Sequence, residues 1–398
     1  MTSVHTGFRL PPGIGLLDDD LRTLYRYCLD VAADLREVGV ALDRDPDVIT
    51  DYLHLPAYRV LEHIFIPPEY REGVERPPGA RGSGTSSLEW AVVQEALAYG
   101  DPGAVLAPSG PGLSREPVYH LGSQAQRDWF FGRMAERPTW SFFGLTEPNK
   151  GSAAMELETR LEPDGDGWRL HGEKRYVGNG ARAQVGVVFC RRAPGPWGIE
   201  AVLIDTAEPG FSGELLPTNG LRGARISRLR FDGMRVGRDQ VLGMDRSPSR
   251  RGLYGALQAL VRFRPGVAAL ALGQAQAVAD YVSEQRPSRR LDAMHDRIAG
   301  IRTLLHAVSA DIDRGVVSLP RIGAVKARAA RVAEDVTRLA AELLGPASLV
   351  EHPWLGKAYR DARGFEFMDG PTNLHRLSVF QGLVRGDFFP AGPHAAGH

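Results

Sequence analysis

YRDARGFEFMDGPTNLHRL, residues 359 to 377, is the stretch around which the chain is organised. Arg360 and Asp361 open a half-apolar segment, Gly364 to Met368, which delivers one carboxylate, Asp369, onto a Gly370-Pro371 break. Glycine permits unusual backbone angles and proline ends whatever precedes it. An acid at the rim of an apolar segment, set on a rigid turn, is one way of presenting a general base. The same residues also describe a helix that ends in an ordinary solvated aspartate, and on their own they leave both readings open.

Outward from this stretch the periodicity divides the chain into three blocks. Residues 1 to about 15 read as a loose arm. From Asp19 to Leu42 apolar residues recur at helical spacing, with acids early. Pro67 to Gly84 reads as loop, Ser86 to Tyr99 as a helix with a serine start and a glycine stop, and Ser123 to Met134 as another helix. The charged positions of this first third are expected to be solvated faces. At Trp140 the pattern changes to short alternating runs bounded by Gly, Pro, Asn and Asp, with a hairpin turn at Asp164 to Gly167, which predicts a compact antiparallel β-domain. Helical patterns return over Gly252 to Val282 (with Pro265 inside), Ala293 to Arg314 and Gly323 to Leu344. The expectation is an α+β chain. It would comprise a helical N-terminal domain over residues 1-138, a middle β-domain over 139-245 and a C-terminal helical domain over 246-398.

Composition narrows the function. The 398 residues carry zero formal net charge, 43% hydrophobic and 24% charged residues, so no basic field points to nucleic acid. Nearly all basic residues are Arg; Lys occurs only at 150, 174, 326 and 357, which reads as genomic composition. Cys28 and Cys190 offer no metal spacing or disulfide framework, and the histidines form no metal-ligand cluster. The N-terminus lacks a signal pattern and no apolar run spans a membrane, so the expected location is cytoplasmic.

Several motifs carry chemistry. Phe143-Gly144-Leu145-Thr146-Glu147-Pro148 runs into a Gly151-Ser152 turn whose N–H groups and hydroxyls suit a phosphate or a ring edge. Gly172 to Gly180, GEKRYVGNG, is a strand bearing an aromatic residue; Leu221-Arg222-Gly223 and FDGMRV, residues 231 to 236, follow. Val261-Arg262-Phe263-Arg264-Pro265 opens a small-residue helix. Taken with the 359 to 377 stretch and with Glu95-Ala96-Leu97, these motifs resemble, in order, those of the acyl-CoA dehydrogenase family, flavoproteins with a helical N-terminal domain, a middle β-domain and a C-terminal helical bundle.

The resemblance implies FAD contacts at Phe143, Leu145, Thr146, Gly151, Ser152, Tyr176, Val177 and Gly178, and at the tetrapeptide Gly370, Pro371, Thr372 and Asn373. It implies substrate contacts at Ser152, Val261, Phe263 and Arg264, and Asp369 as catalytic base with a pKa raised by flanking Phe367 and Met368. No metal is implied. Departures from the family pattern are Asp for the usual Glu at 369, Ala153 for Asp, Tyr176 for Trp, Gly178 for Thr and Val261 for Asp. Arg289 falls on an arginine that meets FAD of a neighbouring subunit, but Arg290 to Asp296 is shortened and Glu342 replaces a Gln. The implied activity is α,β-oxidation of an acyl thioester, on coenzyme A or on an acyl carrier protein as in natural-product pathways. An electron acceptor and a homodimer or homotetramer are implied as partners. The alternatives are a flavin-dependent monooxygenase on the same fold and a non-catalytic acyl-binding relative.

Overall fold

In the computed structural model, which describes residues 11-150 and 156-388, helices enclose a β-layer in chain order. The first block holds α1 (Asp19–Val31), α2 (Leu35–Arg44), α3 (Pro56–Phe65), α4 (Ser87–Ala98), α5 (Pro102–Leu106), α6 (Arg115–Leu121) and α7 (Gln124–Glu136). The apolar period expected to run unbroken from Asp19 to Leu42 is split by a turn at Ala32 to Asp34. The break re-aims α2 so that Gly39 packs on the Asp101 carboxylate, where a Cβ would stand 2.1 Å from the nearest atom. The supposedly loose arm is tied down where it is described. Ile14 is fully buried, and the Pro12 carbonyl accepts from Arg302 Nη1 at 2.7 Å.

α4 begins with Ser86 accepting from the Glu89 N–H, a serine cap that satisfies an otherwise orphaned donor. It is buried on nearly every side, so its charges are not a solvated face as expected. Glu95 lies fully buried against Arg302 at 2.5 Å. An acid so placed is tolerated because its partner is buried with it.

The β-layer comprises β1 (Ser141–Gly144), β2 (Arg160–Asp164), β3 (Gly167–Val177), β4 (Val185–Arg191), β5 (Ile199–Asp205), β6 (Phe211–Leu215) and β7 (Ser227–Val236). Its order is β1-β4-β2-β3-β7-β6, with β5 also on β4. The hairpin falls where the turn residues place it, with Asp164 opposite Gly167 and Gly165 at φ 62°. The sheet is not purely antiparallel: β1 runs parallel to β4, from Ser141 opposite Val185 to Gly144 opposite Val188. β5 holds the other edge of β4 in antiparallel pairing, leaving β1 the remaining one. In β3 the pairing with β7 slips between Lys174 and Val177, a bulge that turns the strand end.

The third block holds α8 (Leu253–Gln285), α9 (Arg289–Asp313), α10 (Leu319–Leu344), α11 (Ser348–Glu351), α12 (Pro353–Asp361) and α13 (Thr372–Arg385). α8 carries Pro265 inside it and a run of small residues after it; a Cβ on Gly273 would stand 2.2 Å from the Glu95 carbonyl of α4. That close approach is why the run is small. Among the described residues no helix is long and apolar enough to cross a membrane.

Candidate active site

Two segments of the β-layer meet at one shelf. Leaving β1, the chain turns at Leu145 to Glu147, and the Thr146 carbonyl accepts from the Arg175 N–H of β3 at 2.9 Å. Beneath, the buried Lys174 ammonium donates to the Leu145 carbonyl at 3.2 Å and to Glu147 Oε1 at 2.8 Å. The Glu147 carboxylate also accepts from the Glu158 and Thr159 N–H groups. Burial would raise its pKa, but Lys174 and these donors hold it below the usual range. Glu147 therefore anchors the shelf and does not face it.

The β3 bulge puts Tyr176 in a left-handed backbone conformation, φ 61°, and leaves its ring 61% exposed. Among the described residues the Thr146 hydroxyl makes no hydrogen bond. At Gly178 a Cβ would find only the Ala224 carbonyl, at 3.7 Å. An exposed aromatic face beside a free hydroxyl and an open glycine suits a planar heteroaromatic cofactor. Phe143 packs inward on Phe189, the two rings tilted by 57° with centroids 4.9 Å apart, Leu145 packs on the same cluster, and Val177 is buried. Gly151 and Ser152 lie outside the described residues.

The shelf is linked to the C-terminal stretch through the turn at 219-225. Asn179 donates its N–H to the Ala224 carbonyl at 2.8 Å. The Leu221 N–H donates to Asp361 Oδ1 at 2.6 Å, and Arg360 donates to the Asn219 carbonyl at 2.7 Å. Asp361 shares Lys357 with Asp101, the N-cap of α5, in a buried triad joining all three blocks.

Past α12 the chain turns through Gly364 to Pro371. Asp369 adopts φ 51° and Gly370 φ 98°. The Asp369 carbonyl accepts from Arg264 Nε of α8 at 3.1 Å. Lys326 of α10 donates to the Glu366 carbonyl at 2.9 Å and to the Gly370 carbonyl at 2.7 Å. The Glu366 carboxylate accepts from the Thr372 N–H at 2.8 Å and from its hydroxyl, so Thr372 is engaged in starting α13, while Asn373 is exposed. Among the described residues no acceptor meets the Asp369 N–H. Burial pushes the Asp369 carboxyl up, opposed by the charges of Arg264 and Lys326. Phe367, expected to supply that burial, is 76% exposed; Met368 packs on the core and Phe367 turns away from it.

Phe263 lies in a buried aromatic cluster with Phe65 at 5.8 Å and Trp90 at 5.2 Å, and Val261 is buried beside it. Arg264 is the member of that group which reaches the Asp369 turn. Arg289 is exposed at the first turn of α9; α8 carries the chain about 30 Å from Arg264 before α9 begins. Glu342 there pairs with Arg290 at 2.5 Å. Among the described residues no cluster of His, Cys, Asp and Glu could hold a metal.

Sequence reasoning missed Lys326 and Glu366. Their signal was present: in a chain whose bases are nearly all Arg, Lys326 is one of four lysines, and Glu366 stands six residues before Thr372.

Comparison with known proteins agrees with this layout. Residues 142–234 match the model of the acyl-CoA dehydrogenase middle domain, and 250–384 that of the acyl-CoA dehydrogenase C-terminal domain. A protein of Anaerotignum propionicum described as acryloyl-CoA reductase (NADH) is 27% identical over 356 residues, covering 81% of this chain and 88% of that one. A short-chain specific acyl-CoA dehydrogenase of Megasphaera elsdenii is 29% identical over 330 residues, covering 78% and 85%. The solved structure of the prolyl acyl carrier protein oxidase AnaB has the same fold, with a TM-score of 0.80 at 19% identity over 92% of this chain and 99% of that one. With both domain models matched in order on the fold just described, the chain belongs to the acyl-CoA dehydrogenase family and is an oxidoreductase.

Proposed function

We infer that the chain is an FAD-dependent acyl-thioester dehydrogenase with Asp369 as its base. The observation that carries this reading is the Asp369 turn: an acid raised above its usual range by burial, on a backbone held by two cations, with its own N–H unclaimed. A base is most effective when its pKa lies near the operating pH, and burial moves Asp369 in that direction. The carboxylate takes the α-proton of the thioester. The Asp369 N–H meets the thioester oxygen as negative charge develops there, which makes the α-proton acidic enough to remove. FAD, when bound, supplies the acceptor for the β-hydride. Thr146, Tyr176 and Gly178 would hold its ring system. The products are a 2,3-enoyl thioester, the reduced cofactor and a protonated Asp369.

For the substrate's carrier we favour an acyl carrier protein. Val261 stands where a carboxylate would contact coenzyme A's pantetheine in the family pattern, and it is buried in apolar packing. The linker between α8 and α9 spans only residues 286-288. The fold's likeness to a prolyl acyl carrier protein oxidase is in keeping with this.

The test is anaerobic bleaching of the flavin's visible absorbance by a panel of acyl thioesters, on coenzyme A and on carrier proteins, with Asp369→Asn alongside. Bleaching by a carrier-bound acyl group and not by its coenzyme A ester, lost in Asp369→Asn, is the expected result. Equal bleaching by coenzyme A esters removes the carrier assignment. A flavoprotein that no thioester bleaches, but which consumes oxygen once reduced, favours the monooxygenase reading that the bare Gly178 permits.

A further inference from the structure

We propose that Lys326 is a positioning residue for the reaction, closing the turn that carries Asp369 and setting the charge around its carboxylate. This rests on the reading of Asp369 as the base. Lys326 is fully buried on α10, and its ammonium donates to the carbonyls of Glu366, at 2.9 Å, and Gly370, at 2.7 Å. Those two carbonyls bracket Phe367, Met368 and Asp369, so one cation pins both feet of the arc that presents the acid. Arg264, from α8, takes the intervening Asp369 carbonyl at 3.1 Å. Three carbonyls of one turn are thus held by cations from two different helices of the bundle. The grip selects one conformation there, because Asp369 at φ 51° and Gly370 at φ 98° lie in the left-handed region, which is only one of several that an unrestrained Asp-Gly pair can visit.

Charge adds a second role. Among the described residues no carboxylate lies within salt-bridge distance of Lys326; the Glu366 carboxylate is committed to Thr372. The groups facing Asp369 from the packed elements are Arg264 on α8, Lys326 on α10, Glu366 in the turn and His375 on α13. Burial holds His375 uncharged, its pKa pushed down to about 4. The positive field at Asp369 therefore comes from Arg264 and Lys326, and both lower a pKa that burial raises. A lysine suits the place better than an arginine, since a compact ammonium reaches two carbonyls at once where a planar guanidinium needs a wider gap.

The experiment separates proton removal from oxidation. The holoenzyme is incubated in D2O with an acyl-CoA in which sulfur replaces the β-methylene, or with that acyl group on a carrier protein if only that form exchanges. Such a probe has an acidic α-hydrogen and no β-hydride to give, so α-deuteration reads the base alone. Lys326→Met is expected to slow exchange at least tenfold at neutral pH with probe affinity changed less than twofold. The acid limb of its pH profile should move up by about one unit, as loss of a cation near a carboxylate requires. Lys326→Arg, which keeps the charge, should keep the wild-type midpoint. If the Met variant does not fold, Lys326→Gln is read for the same upward shift. Lower thermal stability with rate and midpoint unmoved makes Lys326 merely structural and overturns the proposal. Asp369→Asn tells the two failures apart. If it abolishes exchange while Lys326→Met behaves as wild type, the positioning role alone falls. If Asp369→Asn exchanges normally, the base assignment falls and takes the positioning role with it.

Discussion

Lys357→Met should unfold the joint between the three blocks, and by an amount that depends on pH in a specified direction. Lys357 Nζ lies 2.6 Å from Asp101 Oδ2 and also donates to Asp361, and all three side chains are buried. Methionine matches the stem but leaves two carboxylates without a countercharge. Each keeps one donor, the Ala104 N–H at 2.8 Å for Asp101 and the Leu221 N–H at 2.6 Å for Asp361, so neither is stranded completely. Removing one partner of a buried charge cluster costs about 3–5 kcal/mol, and the retained donors place the loss toward the lower figure. In the wild type the Asp101 pKa already stands at about 6, raised by burial against the pull of Lys357. Without Lys357 it rises further. A carboxyl whose folded pKa exceeds its unfolded value stabilises the fold when protonated, so that stability grows as pH falls and is lost as pH rises through the folded pKa. The deficit of Lys357→Met is therefore greatest near pH ~8 and shrinks toward pH ~6, by about 1.4 kcal/mol per unit below the variant's own Asp101 pKa. Urea unfolding followed by circular dichroism at both pH values measures it, and adding Asp101→Asn should recover stability at the higher pH. A loss under about 1 kcal/mol, or a deficit independent of pH, would refute the reasoning.

Three further outcomes are expected. Glu366→Ala removes the acceptor for the Thr372 N–H and hydroxyl and should cost about 1–2 kcal/mol, with faster amide exchange across the first turn of α13 as the specific sign. Tyr176→Ala should weaken FAD binding about tenfold in a fluorescence titration while leaving the apoprotein's melting temperature nearly unchanged, because the ring is exposed and packs on little of the chain. His63 and His375 are buried, each with a pKa pushed down to about 4 by burial; among the described residues neither ring nitrogen of His63 has a partner, nor does Nε2 of His375. The unfolded chain takes up these protons first, so stability is full above about pH 6.5 and falls by up to ~3 kcal/mol per histidine as pH approaches ~4. His375→Gln should flatten the melting temperature's dependence on pH across that window.

The order of helix, sheet and helix was legible because each block keeps one periodicity over many residues, and α4, α7 and α8 announce their ends through Ser86, Ser123 and Gly252. The turn at Asp369-Gly370-Pro371 was legible because its residues have few other uses. Features that depend on what packs from far away in the chain were not. The break after Val31 is set by Asp101 lying against Gly39, the edge of β4 left to β1 by β5 occupying the other, and the burial of Glu95 by Arg302. The lysines are the most instructive case. Lys174, Lys326 and Lys357 are buried, and each meets carbonyl or carboxylate oxygens from more than one residue. In an arginine-rich chain these are places where a point charge with three donors fits and a planar fork does not. The scarcity that read as composition was in part geometry.

Backbone strain ties these observations together. Among the described residues, the non-glycine positions with positive φ are Tyr176, Asn179, Leu221, Arg225 and Asp369. Tyr176 falls on the β3 bulge and Asn179 just past the strand's end, Leu221 and Arg225 on the 219-225 turn, and Asp369 on the acid's own turn, the segments that connect the shelf to the base. Asparagine and aspartate adopt this conformation readily, whereas leucine, arginine and tyrosine do so at a cost of roughly 1–3 kcal/mol each. What over-determines Leu221 is its N–H on Asp361; Arg225 is held by Asp47, and Asn179 by the Ala224 carbonyl. The Lys357 triad thus does more than join blocks, since it fixes the acceptor that keeps Leu221 in place. The same backbone preference favours aspartate as the acid. At φ 51° the shorter side chain is the better tolerated one, so a backbone held by Arg264 and Lys326 in this conformation favours Asp over Glu. The lost methylene must then be made up by a closer approach of the substrate's α-carbon.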